Sequence, residues 1–230
     1  MRIRTTRKEP RRATGKAAGK AKVYAAVIGL ATAGTFVLST GPAGAHGYTD
    51  QPLSRQKMCA TGGSVANCGD IQWEPQSVEG PKGFPAGGPA DGQICSAGHS
   101  NFGQLNQPKT PAGTAWPTTR VTGGQSYSFR WQFTASHATT DFKYYVTKAG
   151  WNQNHALTRA DLNTTPFLTV PYNNQRPPST LSHSGTLPTG LSGHHVILGS
   201  GRSRTRRTRS TRAPTSLSEP CLRLSRGPGG

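Results

Sequence analysis

Alternating aromatic and polar positions give the clearest structural signal in the chain. Tyr127, Phe129, Trp131 and Phe133 stand at every second position, with Ser, Arg and Gln between them. A period of two is typical of a strand with one buried face. Because one face of this strand is aromatic throughout, the pattern predicts a core made largely of rings.

Three later segments repeat this kind of pattern. Phe142, Tyr144 and Val146 alternate in the next segment, and residues 167–170 and 195–198 are two further short apolar stretches. Turn-forming residues separate the segments. Short strands with turn-rich connections predict an all-β fold of the β-sandwich type.

The first 45 residues have the layout of an export signal. A basic region precedes an apolar run of 16 residues, 23–38, and the small residues Ala43, Gly44 and Ala45 follow in an A-x-A pattern. The apolar run is short for a membrane span, so no stable membrane association is expected. We expect cleavage after Ala45, secretion, and a mature chain that begins at His46.

The formal net charge of +18 is concentrated at the two ends of the chain. Residues 1–45 carry +8 and residues 199–230 carry +7, whereas the body, residues 46–198, carries only +3. A basic folded surface is the footprint of nucleic-acid binding, and the body lacks that excess, so nucleic acid is not expected as a partner. The body is long enough for one domain. Its first half is rich in Gly, Pro, Ser and Asn, which predicts long loops.

Four cysteines in an exported chain predict disulfide bonds. Cys59 and Cys68 are close together in a Gly- and Asn-rich loop, and we expect a local bridge between them. Cys95 then has only Cys221 left as a partner. Cys221 stands in the tail, residues 199–230, whose Arg, Thr and Ser content predicts a disordered basic segment.

A histidine at the start of the mature chain is a candidate metal ligand. The free α-amine and the imidazole of His46 can close one chelate ring, and a third nitrogen would complete a planar set that favours copper. His137 lies just past the aromatic strand, where a loop could present that nitrogen. Four other histidines are interpreted as ordinary surface or core residues: His99, His155, His194 and His195.

Several short motifs follow one another in a fixed order from His46 onward. They are residues 46–48, 72–80 (Gln-Trp-Glu-Pro-Gln-Ser-Val-Glu-Gly), 83–85, 88–92 and 134–147. Their order resembles that of the bacterial lytic polysaccharide monooxygenases of auxiliary activity family ten, and the resemblance extends to about Leu198. It implies a fibronectin- or immunoglobulin-like β-sandwich, one copper ion in a histidine brace, and oxidative cleavage of crystalline polysaccharide by a monomer.

The resemblance also implies the residues of the site. Copper would be held by the amine and ring of His46 and by the ring of His137. Glu79 would orient the oxygen species or pass a proton, and Ala135 would be the small residue beside the vacant axial side of the copper. The flat substrate-binding face would include Trp73, Glu74, Pro75, Ser77, Thr134 and His183.

The substrate expected from the resemblance is chitin. Residues 72–80 look more like those of chitin-active members than of cellulose-active ones, so we expect C1 oxidation of chitin, with cellulose as the alternative. Oxygen or peroxide and an external electron donor would be the co-reactants. The competing interpretation is a non-catalytic chitin-binding protein that uses the same flat face.

The resemblance stops abruptly after Leu198. The usual ending of the family, written in GC-rich codons and read one base late, gives residues 200–218 as they stand in this chain. We therefore expect residues 199–230 to be out of frame, the last strand and the proper partner of Cys95 to be missing, and Cys221 to be present by accident. Such a chain would be unstable and nearly inactive.

Overall fold

The computed structural model describes residues 46–204, 217–218 and 221–226. The predicted export signal and most of the Arg-rich tail lie outside these described residues. Within them the chain forms ten strands. The strands are β1 His46–Gln51, β2 Glu79–Gly80, β3 Thr119–Val121, β4 Ser126–Ala135, β5 Thr139–Val146, β6 Leu168–Gln175, β7 Thr180–Thr186, β8 Gly193–Ser203, β9 Leu217–Ser218 and β10 Cys221–Arg226.

The strands are arranged in two sheets. The smaller sheet has the antiparallel order β1-β4-β7. In the larger sheet, β5 lies between β6 and β8, and the other edge of β8 pairs with β10 and β9. β10 in turn pairs with β3, and β9 pairs with β2. Side chains of both sheets meet in one core cluster, which confirms the predicted β-sandwich.

The predicted aromatic face lies at the centre of this core. Phe129, Trp131 and Phe133 of β4 are all buried. The rings of Trp131 and Phe133 stack with centroids 5.7 Å apart, and Trp131 also meets Phe142 of β5 at 5.4 Å. Ring pairs at these separations add stabilisation beyond the area that they bury. The period-two prediction for β4 is therefore confirmed.

In the part of the chain that the structure describes, helical structure is limited to short elements in the loops. The helix α1, Arg55–Cys59, begins after Ser54, whose side chain accepts a hydrogen bond from the Lys57 N–H. Such an N-cap satisfies a main-chain donor that the helix itself leaves unpaired. Three 3-10 helices lie at Gly69–Gln72, Ser100–Asn106 and Arg159–Asp161. Among the described residues, no helix has the length and apolar character that crossing a bilayer requires.

The long loops are held by side chains that bind main-chain carbonyls. Arg159 donates hydrogen bonds to the carbonyls of Pro85, Gly87 and Pro89 at 2.6–2.8 Å, and its guanidinium lies 5.5 Å from the centre of the Phe84 ring. Hydrogen bonds from a charged donor are stronger than neutral ones. This one side chain therefore fixes a loop that has no regular secondary structure.

The predicted boundary at Leu198 is wrong. β8 continues to Ser203, and its last residues pair with β5 in the register Gly201 to Phe142 and Arg202 to Asp141. A Cβ at position 201 would come within 2.9 Å of the Phe142 ring, so the glycine permits this close approach. Arg202 also forms an ion pair with Asp141 at 2.5 Å. Small residues and one ion pair extend the strand where apolar periodicity gave no signal.

The predicted loss of the last strand is also wrong. β10 pairs with both β8 and β3, and its Leu222 and Leu224 are buried in the sandwich core. Cys221, expected to be accidental, forms a disulfide with Cys95. The alternation of Leu222 and Leu224 is short, and the Arg, Thr and Ser content of the tail as a whole led to the prediction of disorder. The out-of-frame origin of the tail stays a prediction, which the nucleotide sequence around the Leu198 codon would test.

The predicted local disulfide is confirmed, because Cys59 and Cys68 are bonded to each other. Both disulfides lie in a second core cluster, beneath the long loops, which also contains Trp116. The loops therefore cover an apolar core of their own.

Candidate functional site

Strand pairing brings the segments of the two predicted histidine ligands together. His46 is the first residue of β1 and pairs with Ala135, the last residue of β4. His137 follows two residues later, between β4 and β5, where its carbonyl accepts a hydrogen bond from Thr139 Oγ1 at 2.9 Å. The register therefore places the His137 turn beside the first residue of β1. Their role as metal ligands stays a prediction.

The main chain next to His46 is held from three sides. The N–H of Gly47 donates to the Gln76 carbonyl at 3.0 Å, and the Gly47 carbonyl accepts from Nε2 of buried Gln56 at 3.1 Å. A Cβ at position 47 would lie 2.7 Å from Cδ1 of Phe133. Only glycine permits this approach without a shift of the core ring. The position of His46 is thus set by the strand and by the loop that follows α1.

Glu79 places a carboxylate beside His46. Its Oε1 lies 3.9 Å from Nδ1 of His46. This oxygen is buried and has no hydrogen-bond partner among the described residues. Burial raises the pKa of the Glu79 carboxyl to about 7, because a charged carboxylate loses hydration there. A carboxyl group with a pKa near neutrality can both accept and release a proton under physiological conditions.

The donor set around His46 suits a copper ion. No group of three or more His, Cys, Asp or Glu side chains is arranged to hold a metal within the described residues. A histidine brace needs only two such side chains, since the third nitrogen is a terminal amine. His46 and the adjacent His137 turn are the residues that would supply these nitrogens, and nitrogen ligands in a tetragonal set favour copper. The unpaired Glu79 oxygen beside them fits a group that acts near the ion.

Trp73 is the most prominent residue of the predicted substrate face. Its side chain is 71% exposed, which is far more than expected for a core tryptophan. The loop that carries it is tied to β1, since the Gln76 carbonyl accepts from Gly47. An exposed ring therefore lies on a segment anchored next to His46.

The other members of the predicted face differ in exposure. Thr134 near the end of β4 is exposed, and Ala135 is half-buried beside it. Glu74, Pro75 and Ser77 are half-buried, and the Ser77 N–H donates to the Glu74 carbonyl in a turn. Their contact with a polysaccharide stays a prediction.

His183 corrects the predicted substrate face, because its ring is buried in the sandwich core. It is 5% exposed, and Phe142 lies against it with ring centroids 4.5 Å apart. Trp131 Nε1 donates to the Tyr144 hydroxyl, which is hydrogen-bonded to Nδ1 of His183 at 2.7 Å. The alternation of β7 turns this residue inward, so it cannot stack on a sugar.

The buried His183 ring resists protonation. Burial lowers the pKa of His183 to about 4. Nδ1 is hydrogen-bonded to the Tyr144 hydroxyl, whereas Nε2 is buried without a partner among the described residues. A charged ring would therefore lose hydration at Nε2 without gaining a hydrogen bond there. His183 is therefore a neutral core residue.

His99 contributes to the site although no sequence signal distinguishes it. Its Nε2 lies 2.5 Å from the main-chain carbonyl oxygen of Glu79, so the ring N–H donates to that carbonyl. The two residues are 20 positions apart, and nothing in the local sequence links them. Only the folded loops bring this side chain to Glu79.

The fold and the site agree with a family match. The family model described as "Lytic polysaccharide mono-oxygenase, cellulose-degrading" matches residues 46–208. The match begins at His46 and includes Glu79, Ala135 and His137. The chain belongs to the AA10 family of lytic polysaccharide monooxygenases.

Curated relatives extend this assignment. The chain is 50% identical over 157 residues to AA10 family lytic polysaccharide monooxygenase C of Mycosarcoma maydis, which covers 66% of this chain and 46% of that protein. It is 44% identical over 167 residues to GlcNAc-binding protein A of Shewanella oneidensis, covering 73% of this chain and 34% of that protein. The matched segment thus spans less than half the length of these relatives.

Solved structures of the family have the same fold. An AA10 lytic polysaccharide monooxygenase from Streptomyces lividans is 66% identical, with a TM-score of 0.71, over 78% of this chain and 99% of that chain. A Bacillus amyloliquefaciens CBM33 in complex with Cu(I) is 33% identical, with a TM-score of 0.65, over 79% of this chain and 100% of that chain. Copper is therefore a ligand found within this family.

Proposed function

We propose that this chain is an exported, copper-dependent monooxygenase that cleaves crystalline chitin by oxidation at C1. The observation that carries the proposal is the contact between His46 and Glu79 beside the His137 turn, with Oε1 of Glu79 3.9 Å from Nδ1 of His46. This contact places the buried Glu79 carboxyl next to the nitrogen donors of the proposed copper site. The family match supports the same reaction class.

The metal site depends on processing before His46. Cleavage there would free the α-amine, which together with the His46 ring and the His137 ring gives three nitrogen ligands. Bound copper would supply one-electron redox chemistry toward oxygen or peroxide, with electrons from an external donor. Since the amine must be deprotonated to bind, metal affinity should fall in acid.

Residues of the chain have separate tasks in this proposal. Glu79 holds or passes a proton beside His46, for which its raised pKa suits it. Ala135, half-buried next to His46, keeps one side of the site open because it has no bulk beyond Cβ. Trp73 stacks its exposed ring on a sugar and holds the polymer across the site.

Chitin is favoured over cellulose by the relatives. GlcNAc-binding protein A of Shewanella oneidensis is named for the sugar of which chitin is built. The family model carries the description "cellulose-degrading", so cellulose is the alternative substrate. Parallel assays on both polymers discriminate between them.

The experiment that tests the proposal uses processed protein secreted with its own leader. With β-chitin, a reductant and oxygen or peroxide, it should release oligosaccharides that end in aldonic acids, as seen by mass spectrometry. His137→Ala should abolish these products. His155→Ala is the matched control, because His155 contacts the Ala156 carbonyl and Asp161 in another loop and should leave them unchanged.

Copper binding gives an independent measurement. The processed protein should bind one Cu(II), whereas a form with one extra residue before His46 should bind it far more weakly, because its amine is then an amide. Equal affinities would contradict the brace. Protein that releases only unoxidised sugars, or acts without a reductant, is not a monooxygenase of this type.

A non-catalytic chitin-binding protein is the second candidate. Its supporting observation is the exposed Trp73 ring, which can hold polysaccharide without any redox step. Retention on chitin that is lost in Trp73→Ala, together with the absence of oxidised products from copper-loaded protein, would favour this candidate.

A further inference from the structure

The carboxylate of Glu79 is held in place through its main chain. Its Oε1 has no hydrogen-bond partner among the described residues and lies 3.9 Å from Nδ1 of His46. The rotamers open to a side chain depend on its backbone, so the backbone at residue 79 limits where the carboxylate can lie. The contacts that hold the main chain of residues 79 and 80 therefore determine where the Glu79 carboxylate lies.

Two main-chain contacts hold this short strand from opposite sides. β2 pairs with β9, with Glu79 opposite Ser218. On the other side, a Cβ at Gly80 would lie 2.6 Å from the carbonyl oxygen of Ala97, so the strand lies directly against the turn that contains Ala97. A third contact is made at the Glu79 carbonyl.

His99 is that partner. Its Nε2 lies 2.5 Å from the Glu79 carbonyl oxygen, and its ring meets the buried Phe102 ring with centroids 5.2 Å apart. Since a carbonyl oxygen only accepts, Nε2 carries the proton in this contact. The Phe102 contact orients the imidazole, and the imidazole fixes the main chain at Glu79.

We infer that His99 is a positioning residue, which holds the Glu79 carboxylate against His46 by binding the Glu79 carbonyl. This role deepens the function proposed above and rests on it for its catalytic consequence. The contact itself does not depend on a metal. His99 is exposed, so its replacement should leave the fold intact.

The first test uses metal-free, processed protein and the imidazole nitrogen shifts of His46 in NMR spectra at one pH. Glu79→Gln should move these signals, because it removes the neighbouring carboxylate. His99→Ala should move them in the same direction, and His99→Gln should restore them, since a glutamine Nε2 reaches about as far as the histidine Nε2. His155→Ala is the control and should leave the signals in place.

The second test loads the same four variants with Cu(II). The EPR spectrum should change in His99→Ala and recover in His99→Gln, while melting temperatures stay equal. The rate of chitin oxidation by His99→Ala should fall about tenfold, which is typical when a residue is lost that orients the groups around a metal without binding the metal itself. A role limited to stability would move the melting temperature and leave the spectra alone.

The outcomes separate this inference from the proposed function. If the wild type takes up no Cu(II), the proposed function fails, yet the metal-free NMR comparison still decides the role of His99. If Glu79→Gln moves the His46 signals and His99→Ala does not, the inference is overturned while the copper site stands. It is equally overturned if His99→Gln behaves like His99→Ala.

Discussion

The aromatic sheet (β1, β4 and β7) and the C-terminal edge (the end of β8 with β9 and β10) are stabilised by different means. β4 places Phe129, Trp131 and Phe133 on one face, where they pack against β5. The C-terminal edge, in contrast, buries only Leu222 and Leu224 of β10 in that core, and the Cys95–Cys221 disulfide ties the strand to the loops. The first region is stabilised by packing of large rings, and the second by strand pairing and a cross-link.

This difference shows where sequence signals are strong. Several aromatic residues at every second position predict a strand without any knowledge of the neighbouring strands. Two leucines in a tail rich in Arg and Ser do not, because their contribution appears only when β8 is present to pair with. A segment with a weak sequence pattern, such as β10, can thus complete the larger sheet, in which β5 has a strong one.

The largest expected effect comes from removing the C-terminal edge. A chain that ends at Leu198 loses the end of β8, both later strands and the Cys95 cross-link. We expect this loss to be comparable with the roughly 5–15 kcal/mol of net stability typical of a domain. We expect no cooperative melt by calorimetry. A chain that ends at Arg226 is the control, since it keeps all described strands, and should melt like the full chain. Cooperative melting of both at one temperature would show that the edge contributes nothing.

A smaller effect distinguishes the two disulfides. Cys95–Cys221 closes a sequence separation of 126 residues and Cys59–Cys68 one of 9. On loop-closure entropy, loss of the long-range bridge should cost about 5 kcal/mol and loss of the local bridge about 2.5 kcal/mol. Paired Cys→Ser variants, compared by urea unfolding, measure the difference. Equal losses would mean that the long-range bridge does not constrain the unfolded chain as proposed.

A third effect lies in the aromatic sheet and depends on pH. Burial lowers the pKa of His183 from 6.5 to about 4, so between these values the unfolded chain binds a proton that the folded chain does not. Stability from this residue should be complete above pH 6.5, fall as the pH drops toward 4, and then level off. The total loss should be at most about 3 kcal/mol.

A matched variant isolates that contribution. His183→Asn keeps a hydrogen-bonding group near the Nδ1 position for the Tyr144 hydroxyl but does not titrate, so its melting temperature should decline less between pH 6.5 and 4. An identical decline in both proteins would assign the acid sensitivity to other groups. The variant also tests the correction at this position, because chitin binding should not change when a core residue is replaced.

Much of the candidate site was predictable, and the missing parts have a common cause. The position of His46 follows from the cleavage pattern, and the placement of His137 beside it follows from a strand that ends nearby. His183 was misplaced because a resemblance in sequence does not state which way a side chain faces. His99 was missed because its partner is 20 residues away.

The sequence by itself determined the period-two strands, the local Cys59–Cys68 bridge, and the histidine that begins β1. These features depend on neighbours along the chain, and local backbone geometry imposes a pattern that can be read. The tertiary structure alone decided that the tail completes the larger sheet, that His183 is buried and that His99 binds Glu79. Each of these depends on strand register and on contacts between distant segments, which arise only when the whole core forms.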